Sequence, residues 1–387
     1  MSIVLGSTRL LDSGRLRGQR IGVVANPASI DQDFVHVLDR VAEAGGVTLG
    51  AIFGPQHGFN SDLQENMIET PHAESRSWRV PVYSLYSETR EPTPAMLEGL
   101  DALVVDLQDV GTRIYTFIYT MAYCLKGAAK AGIPVYVCDR PNPIGGDAVE
   151  GPMLEPGFES FVGLYPIPMR HGMTIGELAR LFNEHFAIGA QLVVEPMTGW
   201  SRSTFWEDTG LAWVMPSPNV PSVETTVVYP GTVLFEGTML SEARGTTRPF
   251  ELVGAPWIEP NALARALNGY RLPGVHFRPT HFEPTFHKFA KEGCGGVQIH
   301  VTDRRRFEPV LGATAILHEM RQVDPAKFTW RPPPYEYEHE KLPIDILAGT
   351  SRYREDLERG VDPRAMADSW RPGVEQFERI RREYCLY

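Results

Sequence analysis

Short β-branched runs recur before residue 140, each followed by a loop rich in Gly, Pro, Asn or Asp, and this spacing constrains the fold more than any other feature of the chain. The runs are RIGVVAN from Arg20, VTLGAIF from Val47, VPVYSLY from Val80, DALVVDL from Asp101 and IPVYVCD from Ile133. Longer helical stretches separate them, among them DFVHVLDRVAEAG and YTFIYTMAYCLKGAAKAG, the latter ended by Gly132 as a helix C-terminus should be. Strands that alternate with helices build right-handed βαβ units and a parallel sheet covered on both sides. The expected fold is therefore α/β, a Rossmann-like open parallel sheet with helices on both faces.

MTIGELARLFNEHFAIG from Met173 adds an amphipathic helix, with Thr174 as N-cap and Glu177 three residues on, and AQLVVEPM a sixth strand. A loop-rich stretch then leads to about Trp257. Beyond it the pattern changes: a helix PNALARALNG, extended segments VHFRPTHFEPTF and GVQIHVTD, a helix GATAILHEMRQ and a tail ending RIRREYCLY. At 387 residues the chain exceeds the ~250 to 300 at which a single core stops growing. Two domains are expected, a Rossmann-like catalytic domain over 1–256 and a smaller C-terminal α+β domain over 257–387.

A formal net charge of −11 argues against nucleic acid or an anionic membrane as partner, because phosphates would be repelled over most of the surface. Cys124, Cys138, Cys294 and Cys385 lie far apart and read as reduced structural residues. The N-terminus offers only a short apolar stretch, and no run approaches the ~18 apolar residues of a membrane helix, so a cytoplasmic protein is expected. No G-x-G-x-x-G follows the first strand, and Walker A, H-E-x-x-H and G-x-S-x-G are missing, so no cofactor is expected. His281 and His287 flank FEPTF without a third ligand in reach, and no metal is expected either.

Ligands of an open parallel sheet bind outside the carboxyl ends of its strands, where the loops converge. In this chain every such loop is polar. Asn26 ends the first, Gln56 and His57 the second, Asp106, Gln108, Asp109 and Arg113 the fourth, and Asp139, Arg140 and Asn142 the fifth. In DLQDVGTRIYT, Gly111 permits a tight turn before Arg113 and Tyr115 enter a helix, a place to hold hydroxyls and a carboxylate. A later loop, LFEGTMLSEARGTTRPFE, interleaves Glu236, Glu242, Arg244, Thr246 and Glu251 with small residues. Structural ion pairs remain the rival account of each loop taken alone. Acids, amides, Arg and aromatic residues such as Tyr115, Trp213 and Phe250, with no cofactor motif, suit a carbohydrate. Glycoside hydrolysis needs one carboxylic acid to protonate the leaving oxygen and usually a second carboxyl as base or nucleophile.

The strings FGPQHGF, DLQDVGTRIYTFIYTM, DRPNPIGG, SFVGLYPIPMRHGMTIGELA, PSPNVPS, YPGTVLFEGTMLSEARGTTRPFELVGAPW and FEPTFHKF resemble the family once called DUF1343, whose characterised members are exo-β-N-acetylmuramidases. The match runs from the first strand to the final CLY. The resemblance implies a cleft at the carboxyl edge of the sheet and release of N-acetylmuramic acid from the non-reducing ends of peptidoglycan fragments; a cytoplasmic protein, as the N-terminus leads one to expect, would meet recycled muropeptides or other glycosides. It also implies a cation for the lactyl carboxylate, with Arg113, Arg140 and Arg244 as candidates. One departure stands out: PQHG replaces the P-E-H-G common in the family, and the Gln56 amide can position substrate but has no proton to give. Either a nearby carboxyl (Asp62, Glu65 or Glu69) serves as acid, or the acid lies elsewhere, or the chain has changed substrate or kept only sugar binding. The expected assignment takes Glu242 and Asp139 as the catalytic carboxyls and His57 as orienting group or proton relay. Asn26, Gln56, Asp109, Arg113, Tyr115, Arg140, Asn142, Asn219, Arg244 and Thr246 are expected to hold the sugar.

Overall fold

The structure, a computed structural model, describes residues 3–64 and 67–387. Each β-branched run forms a strand whose alternate side chains are buried on opposite faces. The strands are β1 (Arg20–Val24), β2 (Thr48–Gly54), β3 (Ala73–Glu74), β4 (Pro81–Ser84), β5 (Ala102–Val105), β6 (Val135–Cys138), β7 (Glu150–Met153), β8 (Pro168–Arg170), β9 (Leu192–Glu195), β10 (Leu252–Ala255), β11 (Val275–Phe282) and β12 (Cys294–Val301). The main sheet has the order β3-β4-β2-β1-β5-β6-β9, parallel throughout except at the antiparallel edge strand β3. The chain steps outward from β1 to β2 and β4, then returns to β5 on the other side of β1. This is the order of a doubly wound sheet with its topological switch between β1 and β5.

Register sets which face each side chain serves. Val24 stands opposite Phe53 and Val105, and these pack with Leu103 and Val137 against the helix Phe117–Ala131. Ile21 and Val23 point the other way, with Ile52 and Val104, onto the helices Gly6–Asp12 and Val37–Glu43. Helices therefore cover both faces, as the sequence pattern predicts. Gly132 closes the helix Phe117–Ala131 at φ +73°, and Thr174 with Glu177 forms a capping box on the helix Ile175–Arg180.

The C-terminal part is α+β, a three-stranded antiparallel sheet ordered β10-β12-β11 with the helices Val223–Thr232 and Pro260–Gly269 packed on it and the helix Pro309–Val323 packed on those two helices. β10 precedes residue 256, yet it pairs with β12 from Leu252 opposite Gln298 to Ala255 opposite Gly295. The apolar core is shared, with Val105 and Phe117 in one cluster with Val253, Val297 and Leu317. The last helix, Pro363–Arg381, returns onto the β7–β8 hairpin, and Arg381 donates to the carbonyls of Gly146 (2.7 Å) and Gly172 (2.6 Å). Cys124, Cys138 and Cys294 are buried and unbridged. Among the described residues, no helix is long and apolar enough to cross a membrane.

Candidate active site

The loops that leave the carboxyl ends of β2 and β5 meet several segments from the C-terminal half, and a buried polar cleft forms between them. Gln56 and His57 come from the first loop, and Tyr115 and Thr116 from the second, just before the helix Phe117–Ala131. Ser217 and Asn219 enter from the crossover to the helix Val223–Thr232. Glu236 stands on the 3-10 turn Val233–Gly237, Arg244 and Phe250 on the loop before β10, and Tyr335 and Glu336 on the segment before the helix Pro343–Ala348. Tyr115, Tyr229 and Phe250 supply aromatic walls, the last two in edge-to-face contact at 4.8 Å.

Two carboxyls line this cleft among the described residues, in different environments. Arg244 Nη2 donates to Glu236 Oε1 at 2.6 Å and the Tyr335 hydroxyl to Oε2 at 2.7 Å, so Glu236 sits in a buried ion pair. Glu336, 3 % exposed, accepts from the Tyr86 hydroxyl at 2.8 Å and from Gln56 Nε2 at 3.3 Å. Thr116 donates to Gln56 Oε1 at 2.7 Å, which turns the Gln56 NH2 towards Glu336. Burial, reinforced by the charge of Glu236, pushes the Glu336 carboxyl up to about 7 in spite of the Tyr86 donor. Near neutrality this group holds a proton that an ordinary glutamic acid has lost.

His57 Nδ1 lies 2.7 Å from the Leu63 carbonyl, an acceptor only, so Nδ1 carries the proton and the neutral ring keeps Nε2 bare. Burial, with help from Arg244, lowers the imidazole to about 4. The backbone is left-handed at His57 (φ +70°), Ala243 (+61°), Phe250 (+65°) and Glu336 (+45°). Such conformations in non-glycine residues cost roughly 1–3 kcal/mol each and persist where the surroundings over-determine them, a pattern that gathers at functional sites.

Of the residues expected to form the site, Gln56, His57, Tyr115, Asn219 and Arg244 line the cleft. The two expected catalytic carboxyls do not. Burial would push Glu242 up, but Lys288 at 2.8 Å, His287 at 3.3 Å and Arg244 at 3.5 Å override it and hold the group down at about 2. Glu242, expected as a catalytic carboxyl, therefore lies outside this cleft in ion pairs with Lys288 and Arg244. Asp139 is fully buried at the end of β6 and accepts from Thr174 (2.8 Å), the Gly176 amide (2.8 Å) and the Tyr387 hydroxyl (2.7 Å). Burial raises it to about 7, but it ties the chain end to the sheet instead of facing the cleft.

Several expected sugar ligands are occupied elsewhere. Arg113 is wholly buried and donates to the carbonyls of Pro152, Ile167 and Leu347, clamping the β7–β8 hairpin to the C-terminal half. Arg140 pairs with Asp106 at 2.6 Å and donates to Ile30 O, and Asp109 meets His171 at 3.2 Å. Asn142 holds Met173 O and the Ile144 amide, Asn26 holds Pro216 O, and Thr246 holds Ala243 O. These residues shape the loops without reaching the cleft. Trp213 packs on Trp206 at 5.0 Å. Asp62 and Glu69 are exposed, and Glu65 lies outside the described residues.

Sequence reasoning missed Glu336, Tyr335 and Tyr86. The signal available was RPPPYEYEHE, where three prolines stiffen a backbone that then alternates aromatic and acidic residues.

Family profiles described as "Exo-beta-N-acetylmuramidase NamZ, N-terminal" and "C-terminal" match residues 21–224 and 227–387. The chain is 46% identical over 373 residues to the peptidoglycan beta-N-acetylmuramidase NamZ of Bacillus subtilis (strain 168), covering 96% of this chain and 88% of that protein. Crystal structures of two DUF1343 family proteins from Bacteroides fragilis NCTC 9343 are similar over 100% of this chain and 99% of each of theirs. The first has a TM-score of 0.90 at 34% identity, the second 0.80 at 26%.

Proposed function

Because this chain belongs to the exo-β-N-acetylmuramidase NamZ family, we propose that it is a glycoside hydrolase that releases N-acetylmuramic acid from the non-reducing ends of peptidoglycan fragments by carboxylate acid/base catalysis. The observation that carries the reading is the presence of two carboxyls, Glu236 and Glu336, in one buried cleft in environments that set them apart. Glycosidases divide their labour between a protonated and an ionised carboxyl. Glu236, ion-paired with Arg244, supplies the negative charge that faces the anomeric carbon as positive charge develops there. Aromatic walls take the apolar faces of the sugar, and Asn219 and the neutral His57 offer hydrogen bonds to its hydroxyls and acetamido group. Of the three arginines expected to meet the lactyl carboxylate, Arg244 lines the cleft, and its planar fork can hold Glu236 and a substrate anion together.

The test is chromophore release by the purified protein from 4-nitrophenyl β-N-acetylmuramide, beside the matching N-acetylglucosaminide. Turnover of the muramide with at least ~10-fold preference is expected, since the glucosaminide lacks the lactyl anion. Binding of N-acetylmuramic acid without turnover of either substrate would favour the other reading, a sugar-binding member of the family that no longer hydrolyses.

A further inference from the structure

A departing glycosidic oxygen needs a proton donor, and the residue at position 56, an amide, cannot be that donor. We propose that Glu336 is the general acid, delivering its proton to the glycosidic oxygen from its place beside Gln56; this assignment rests on the glycosidase reading.

The geometry narrows the choice. Of the cleft carboxyls among the described residues, Glu236 is engaged by the Arg244 cation and Tyr335, and Glu336 by neutral donors, Tyr86 and Gln56. Neutral donors leave a carboxyl free to hold its proton before the reaction, yet they are in place to receive the anion afterwards. The His57 ring is neutral with its one proton bound to Leu63 O, and Glu242 is held by the Lys288 and Arg244 cations with the His287 ring alongside. The raised titration of Glu336, to about 7, agrees with this role. Gln56 becomes a positioning residue: Thr116 fixes its amide so that the NH2 meets Glu336 Oε1.

The step balances without a co-reactant other than water. The C1–O bond breaks with its electron pair going to the leaving oxygen, which takes the Glu336 proton, and the Glu336 carboxylate is met by Tyr86 and Gln56. Water adds its oxygen to C1, and the proton it loses restores the acid form of the site. The groups that bear on the titration of Glu336 come from every segment around it. Arg90, stacked on the Tyr86 and Tyr337 rings at 4.5 and 4.2 Å, lowers it, Tyr86 and Gln56 lower it by donating, and Glu236 raises it. Tyr229 and Tyr335 lie nearby and remain neutral.

The experiment compares wild type, Glu336→Gln and Tyr86→Phe, as full chains, on a 2,4-dinitrophenyl β-N-acetylmuramide and on the disaccharide of N-acetylmuramic acid β-linked to N-acetylglucosamine. Dinitrophenolate leaves without protonation, whereas a sugar hydroxyl does not. Glu336→Gln should lose ~10²–10⁴-fold on the disaccharide and no more than ~10-fold on the aryl glycoside, and lose the alkaline fall of kcat/KM. Tyr86→Phe, which removes one donor to the carboxylate, should move that fall to higher pH. Equal losses on both substrates in a protein of unchanged melting temperature, or an alkaline fall untouched by Tyr86→Phe, would overturn the assignment. A wild type inert on both substrates would overturn the glycosidase reading together with it.

Discussion

At the scale of single residues, the chemistry of the cleft depends on what each carboxyl faces. Glu242 and Glu336 are both buried glutamates, but one faces Lys288, His287 and Arg244 while the other faces a phenol and an amide, and their titrations part from about 2 to about 7. Gln56→Glu would set a second carboxyl about where the Gln56 amide lies, 3.3 Å from Glu336. Two carboxyls so close share one proton, so the alkaline limb of kcat/KM for the disaccharide should rise by at least ~1 pH unit; a limb that stays put would mean that the pair is uncoupled. Residue types in the polar loops were legible from sequence, and Gln56, His57, Tyr115, Asn219 and Arg244 do converge. What sequence could not show is that Arg113 and Arg140 spend their donors on backbone carbonyls and Asp106, because the partners lie from 34 to 234 residues away along the chain.

At the scale of elements, the six parallel strands were legible because burial on both faces demands continuous β-branched runs. The elements that escaped notice lack that signature. β3 is two residues at the sheet edge, β7 and β8 each carry a proline, and β10 reads LVGA, where Gly254 allows its backbone close approach to Gly295. Gly111 was legible for a physical reason. It adopts φ +82° in the turn after β5, and a Cβ there would stand 2.6 Å from Asn142 Oδ1. The segment that carries Tyr335 and Glu336 has no regular secondary structure, so no periodicity pointed to it, and its function comes from where the C-terminal half delivers it.

At the scale of the whole molecule, the cleft takes residues from both sides of the junction between the family's N- and C-terminal regions, near residue 225. The chain end reinforces this union, with the Leu386 amide on Glu177 at 2.8 Å and Tyr387 on Asp139. Burial also makes stability depend on pH. Glu150, one oxygen on the Leu311 amide and the other without a hydrogen-bond partner, is pushed by burial up to about 8 from an ordinary 4.5. A folded value above the unfolded one means a contribution complete below about pH 4.5 and lost as pH rises to about 8. Asp139 and Glu336 act in the same sense up to about 7, while His57, held at about 4, opposes them only between about 4 and 6.5. From pH 6.5 to 8 the fold should therefore weaken. Glu150→Gln, which keeps the acceptor for Leu311, should reduce that loss by on the order of 1 kcal/mol per pH unit in urea denaturation, and parallel curves for the two proteins would refute this source. The most direct test of the account is kcat/KM for release of free N-acetylmuramic acid from the disaccharide across pH 5 to 9. The account predicts turnover that falls as pH passes about 7, where Glu336 gives up its proton. No release at any pH, or release undiminished to pH 9, would contradict it.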